Sequence, residues 1–208
     1  MTENSPQTAR KGGRSAALIL SLALLVAGLG ALASVVYFTL PRGGALAPGP
    51  SAIGGAFSLT DQHGQRVTDK DLLGKPSLIF FGFTHCPDIC PTKLFEITQI
   101  LDRLGADAGK VNTVFITVDP ARDDQALLAS YLGSFHASIR GLTGTEEEVA
   151  TAMRAYRAFA RKVPLEGGSY TMDHTVFVYL MDRNGTFVST FEVNRDPAVA
   201  ARDLRRFM

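Results

Sequence analysis

The chain has 208 residues, 46% hydrophobic and 20% charged, a balance that permits one folded domain of ordinary size and excludes a polar, disordered chain. The formal charge of +1 divides unevenly: residues 48–208 hold 17 Lys/Arg against 19 Asp/Glu, a net of −2, which excludes a basic surface gripping nucleic acid. Cysteine occurs only twice, at Cys86 and Cys90, and closing so short a loop removes little unfolded-state entropy, so a disulfide framework is excluded as well.

Met1 to Ala9 is polar. From Ser15 to Leu40 there are 26 residues without a charge, more than the roughly 20 that a helix needs to cross a bilayer core. Arg10, Lys11 and Arg14 precede this run and only Arg42 follows closely, so residues 1–14 are expected to form a cytoplasmic tail and 15–40 a transmembrane anchor. A cleaved signal peptide is the alternative. Ala45-Leu46-Ala47 offers small residues, but Pro48 follows directly and the apolar run exceeds the usual length of about 7–15 residues. Residues 41–52, rich in Gly, Pro and Ala, read as a tether, and 53–208 as the folded domain on the far side of the membrane.

The domain opens with a hairpin: Phe57-Ser-Leu-Thr, a turn at Gln62-His63-Gly64-Gln65, and a return through Arg66-Val67-Thr68. Asp69 or Asp71 can cap a short turn ending at Gly74. Residues 77–83 form a short apolar run of the kind that makes a strand covered on both faces, and the cysteines follow at its end. Pro91 suits the first helical position, Leu94, Ile97, Leu101 and Leu104 recur at helical spacing, and Gly105 stops the helix. Val111 to Val118 is a second buried strand. Asp123 or Asp124 starts a helix reaching Leu132, and Thr145-Glu-Glu-Glu148 caps another whose inner face is Val149, Met153, Tyr156 and Ala160. Val163 to Asp173 reads as a polar loop. Asn184-Gly185 between two alternating runs marks a hairpin, and Asp196-Pro197 begins a last helix. A β-α-β centre followed by a hairpin and a helix predicts an α/β, thioredoxin-like fold with a mixed central sheet flanked by helices, with the site at the carboxyl ends of the strands.

Two sulfurs four residues apart at a strand–helix junction can face a common atom, and the positive helix end favours thiolate. A nitrogen ligand would complete such a site. Of the four histidines, His85 adjoins Cys86 and points elsewhere, while His63 lies in a hairpin turn and His136 near a helix end, where solvent explains them. His174 ends the long polar loop, which can carry it over the cysteines. On spacing alone it reads equally as a strand-edge histidine bonded to backbone. Two thiolates and an imidazole suit Cu(I) and can accept Cu(II) with a further oxygen ligand. A reversible Cys86–Cys90 disulfide is the other reading of the pair.

Three blocks carry a resemblance: Phe81-Gly-Phe-Thr-His-Cys-Pro-Asp-Ile-Cys-Pro-Thr, Thr117-Val-Asp-Pro-Ala-Arg-Asp and Asp173-His-Thr-Val-Phe. In content and order they resemble the SCO/SenC family of copper-binding assembly proteins, over about Ile53 to Met208. The resemblance implies a thioredoxin-like domain anchored in the bacterial inner membrane and facing the periplasm, or in the mitochondrial intermembrane space. It implies Cys86, Cys90 and His174 as copper ligands. It also implies a role in building the dinuclear copper centre of cytochrome c oxidase, by copper delivery or by reducing the recipient cysteines. The partners would be the copper-containing oxidase subunit and another periplasmic copper carrier. A peroxide-reducing enzyme on the same fold would need a single activated cysteine with orienting neighbours, and none is specified. Around the ligands, Asp88 reads as a turn residue, Asp173 as a loop cap or a charge near the metal, Asp119 and Asp123 as helix caps, and Phe80, Phe81 and Phe83 as core.

Overall fold

The computed structural model describes residues 13–39 and 53–208. It divides into two units, Met1–Pro48 and Gly49–Met208. In the first, a 27-residue helix α1 (Gly13–Thr39) covers nearly all of the charge-free run and starts two residues before its predicted beginning. Its described apolar side chains, Leu22 to Val35 among them, are exposed. Among the described residues, no helix is long and apolar enough to cross a membrane. The remainder of the predicted tail and the tether at 41–52 lie outside the described residues.

The second unit is built on a seven-stranded mixed sheet. Its strands are β1 (Ser58–Asp61), β2 (Arg66–Thr68), β3 (Ser77–Gly82), β4 (Asn112–Thr117), β5 (Ile139–Thr143), β8 (Val178–Met181) and β9 (Phe187–Thr190), in the order β2-β1-β5-β4-β3-β8-β9. A separate two-stranded sheet pairs β6 (Ala160–Pro164) with β7 (Tyr170–His174). The helices are α2 (Ile89–Leu104), α3 (Gln125–Leu132), α4 (Glu146–Tyr156) and α5 (Pro197–Leu204), and α2 packs against α5.

All six residues of β3 are buried. Phe80, Phe81 and Phe115 are at most 1% exposed, and each such side chain contributes about 1.5–3 kcal/mol by leaving water. Strand β3 runs parallel to β4, with Gly82 opposite Thr117, so the loops leaving both strands emerge side by side. On its other flank β3 runs antiparallel to β8, with Phe80 opposite Val178. The segment leading into β8 therefore arrives beside the end of β3. This register brings residues 86 and 174 to one edge of the sheet.

Four expectations need correction. Strand β5 is an addition to the predicted elements: Arg140 and Gly141 interrupt its apolar pattern. A Cβ on Gly141 would meet Leu132 Cδ1 at 2.4 Å, so a larger residue there would push that side chain aside. The predicted loop at 163–173 is mostly the β6–β7 hairpin, whose exposed faces leave no apolar alternation to read. Ala160 belongs to β6 rather than to the inner face of a helix, because α4 ends at Tyr156 with Arg157 in the left-handed region at φ 52°. Finally, α2 begins at Ile89, so Pro91 is its third residue, still within the turn whose N–H groups lack intrahelical partners.

Candidate metal centre

Cys86 sits in the turn after β3, and its N–H donates to the Phe83 carbonyl at 3.3 Å. Cys90 is the second residue of α2, and its backbone N–H donates to Cys86 Sγ at 3.3 Å. An N–H of the first helical turn is thus spent on a sulfur, as the predicted strand–helix junction requires. Cys90 is completely buried, whereas Cys86 and His174 are partly open. His174 closes β7, and its Nε2 lies 3.5 Å from Cys90 Sγ. The two sulfurs and a ring nitrogen of His174 lie within 4.8 Å of one another. That separation fits donors on either side of one ion at bond lengths of about 2.0–2.3 Å.

The backbone assigns the tautomer of His174. Nδ1 lies 2.8 Å from the Thr175 carbonyl, which can only accept, so Nδ1 carries the proton and Nε2 presents its lone pair to the sulfurs. Phe83 meets the imidazole edge-on at 5.5 Å between centroids and Phe80 lies at 6.3 Å, so phenylalanines expected as core also wall the site.

The two thiols are unequal. A hydrogen bond from the Cys90 side chain, with others from the backbone of Cys90 and Asp88, lowers the Cys86 thiol to about 4 against the opposing effect of burial. Cys90 moves the other way, because it donates to Cys86 and is buried. At neutral pH the pair therefore holds one thiolate, on Cys86, and one thiol, on Cys90. Tyr131 nearby is raised by burial and then by the sulfur charges.

The other histidines stay apart. His85 turns toward Thr84 Oγ1 at 3.0 Å and lies 3.6 Å from Asp123 Oδ1, while His136 Nδ1 pairs with Ser138 Oγ at 2.8 Å. The backbone N–H of His63 donates to Asp61 in the β1–β2 turn. Asp173 pairs across the hairpin with Arg161 at 3.1 Å, and Asp88 occupies the turn before α2.

Asp119 and Asp123 do not cap a helix. Asp124 does, accepting the Leu127 N–H at 2.7 Å. Asp123 is buried and accepts from Thr84 N at 3.0 Å, Thr84 Oγ1 at 2.6 Å and Thr117 Oγ1 at 2.6 Å, clamping the cysteine turn to the end of β4. Asp119, also buried, accepts from the Tyr170 hydroxyl at 2.9 Å, at the far end of the strand that carries His174. Gly82 is a further site residue, absent from the sequence-based candidates. A Cβ there would stand 2.9 Å from Cys90 Sγ and 2.6 Å from Phe115 Cε2. The Gly in Phe81-Gly-Phe, inside an otherwise bulky buried strand, is the available signal.

A mixed α/β domain of thioredoxin-like architecture, with two cysteines at a strand–helix junction and a distant histidine closing over them, has the donor set of a cysteine–histidine metal site. The SCO1/SenC family model matches residues 46–208, and the chain belongs to that family. The chain is 46% identical over 151 residues to "Protein SCO1, mitochondrial" of Saccharomyces cerevisiae, covering 71% of this chain and 51% of that protein. It is 40% identical over 163 residues to "Protein SCO1 homolog, mitochondrial" of Homo sapiens, covering 77% and 54%. The chain spans about half the length of these curated relatives. Among solved structures, ScoI of Bradyrhizobium japonicum with copper bound is 57% identical, with a TM-score of 0.74, covering 76% of this chain and all of that one.

Proposed function

We propose that this chain is a membrane-anchored copper carrier that holds one copper ion through Cys86, Cys90 and His174 and assists assembly of the dinuclear copper centre of cytochrome c oxidase. The observation that carries the reading is the convergence of the three donor atoms within 4.8 Å from positions far apart in sequence. The donor set is soft, as Cu(I) prefers, and can hold Cu(II). Relatives of the family solved with copper bound support it. When bound, copper is cargo rather than a reaction centre. The chain supplies a buried sulfur, an anionic sulfur and a tautomer-fixed nitrogen, and has no turnover of its own.

The anchor is supported by the charge-free residues 15–40 and by the basic residues before them. The domain then faces the periplasm from the inner membrane, with the oxidase's copper-containing subunit as recipient and a periplasmic carrier as copper source. The test is copper content after loading and desalting. Wild type should retain about one equivalent. Equal retention by Cys86→Ala, Cys90→Ala and His174→Ala chains overturns the reading.

The second reading is thiol–disulfide reduction, favoured by the low pKa of Cys86 beside a neighbouring thiol. The Cys86 thiolate would attack a recipient disulfide, and Cys90 would resolve the mixed disulfide. Both electrons pass to the recipient, and Cys86–Cys90 is left oxidised. That route does not need His174. A His174→Ala chain that still matures the oxidase without holding copper would select it.

A further inference from the structure

The β6–β7 hairpin is not part of the main sheet, so β8 holds His174 to that sheet only from the residues that follow it, and the strand that precedes it needs a tie of its own. Three side chains at the opposite end of β7 provide the tie. The Arg122 guanidinium stacks on the Tyr170 ring, 3.7 Å from its centroid, and Nη1 donates to the Tyr170 carbonyl at 2.9 Å. Its Nε donates to buried Asp119, whose other oxygen accepts the Tyr170 hydroxyl at 2.9 Å. Arg122 therefore grips both the backbone and the ring of one residue, from a loop fixed by the end of β4. Lys162, on the partner strand, adds a second cation 5.0 Å from the same ring. Tyr170 and His174 are four residues apart on one strand, so they lie on the same face, about 13 Å apart at the rise of a strand. Arg122 also lies 5.9 Å from the centroid of Phe83, the ring that meets His174 edge-on.

We propose that Arg122 is a positioning residue for copper capture: with Asp119 it fixes Tyr170, and through β7 it fixes the approach of His174 to the two sulfurs. This rests on the reading of His174 as a copper ligand. The influence of Arg122 on the site passes through the Tyr170 end of β7 and through Phe83, both of which bear on His174. A planar guanidinium that stacks and donates along two edges is not replaceable by an ammonium.

The test is a double-mutant cycle on the full chain, reading Cu(I) retention against a chromogenic Cu(I) chelator. Arg122→Ala should weaken retention about 10–100-fold, the range seen when a group supporting a ligand is lost. In a His174→Ala background the same change should cost less than about 2-fold, because the arm it steadies no longer carries a ligand. Arg122→Lys should not restore wild-type retention. Tyr170→Phe, which removes one hydroxyl, should show the same dependence on His174 at smaller size, and it decides the matter if Arg122→Ala does not fold. Retention by Arg122→Ala equal to wild type, or an equal loss in both backgrounds, overturns the proposal while leaving the ligand set standing. Wild-type retention by His174→Ala itself removes the ligand set, and the proposal with it.

Discussion

The cysteine turn and the histidine hairpin meet at one point but are built on different foundations. Cys90 lies inside the core, with Gly82 behind it, and Asp123 clamps the turn through buried hydrogen bonds. His174 stands on a two-stranded hairpin that lies mostly at the surface and is tied at its far end to Asp119 and Arg122. The first region cannot shift without disturbing the central sheet. The second rests on fewer buried contacts, chief among them those of Asp119 and Arg122 at its far end. On the proposed ligand set, that difference makes the sulfurs the fixed donors and the imidazole the adjustable one.

The largest effect that can break this contrast comes from the ligands. Cys90→Ala should lower copper retention by more than the roughly 10–100-fold that supporting groups command, and His174→Ala by less than Cys90→Ala but at least as much as Arg122→Ala. Equal losses, measured by competition with a chelator, would erase the asymmetry. Next is Gly82→Ala, which changes no ligand but drives a methyl group against Cys90 Sγ and Phe115. It should destabilise the domain by about 1–3 kcal/mol in urea unfolding and weaken copper binding as well. Wild-type stability in the Gly82→Ala chain would show that the sulfur side is softer than described. Asp123→Asn keeps the shape but turns an amide donor toward groups that themselves donate, at about 1–3 kcal/mol by the same measurement. Thr145→Ala, which removes the cap of α4 away from both regions, should cost about 1 kcal/mol and leave copper binding unchanged.

The contrast between the sulfurs has a pH signature. The thiolate is the reactive form and Cys86 titrates near 4, so iodoacetamide should label Cys86 of the metal-free protein at pH 6 and lose rate as pH falls through about 4. Cys90, held protonated and buried, should stay unlabelled throughout that range. Peptide mapping of the labelled protein reads both sites at once.

The parts of this picture that are legible in the sequence are those written in local pattern. The apolar run of β3, the Cys86–Cys90 spacing, the capping box at Thr145 and the Asn184-Gly185 turn each report a short-range preference. His174 needs the resemblance of three blocks, because the antiparallel register of β8 on β3 that carries it to the sulfurs is not a local property. Acids after a strand usually cap the next helix, and that pattern masks the roles of Asp119 and Asp123. Their actual partners, Tyr170 and Thr84, are 51 and 39 residues away. Arg122 is hidden for the same reason, and the β6–β7 hairpin because a surface ladder buries no alternating face.

The Thr175 carbonyl, by holding the proton of His174 on the outer nitrogen, has a consequence for electrical balance. Nε2 is then the ring's free donor atom, and of the two thiols only Cys90 keeps its proton. On the proposed ligand set, trading that proton for a monovalent ion leaves the local charge where it began. A divalent ion would raise it by one unit. Loaded and unloaded forms would then carry the same local charge in the first case and differ by one unit in the second.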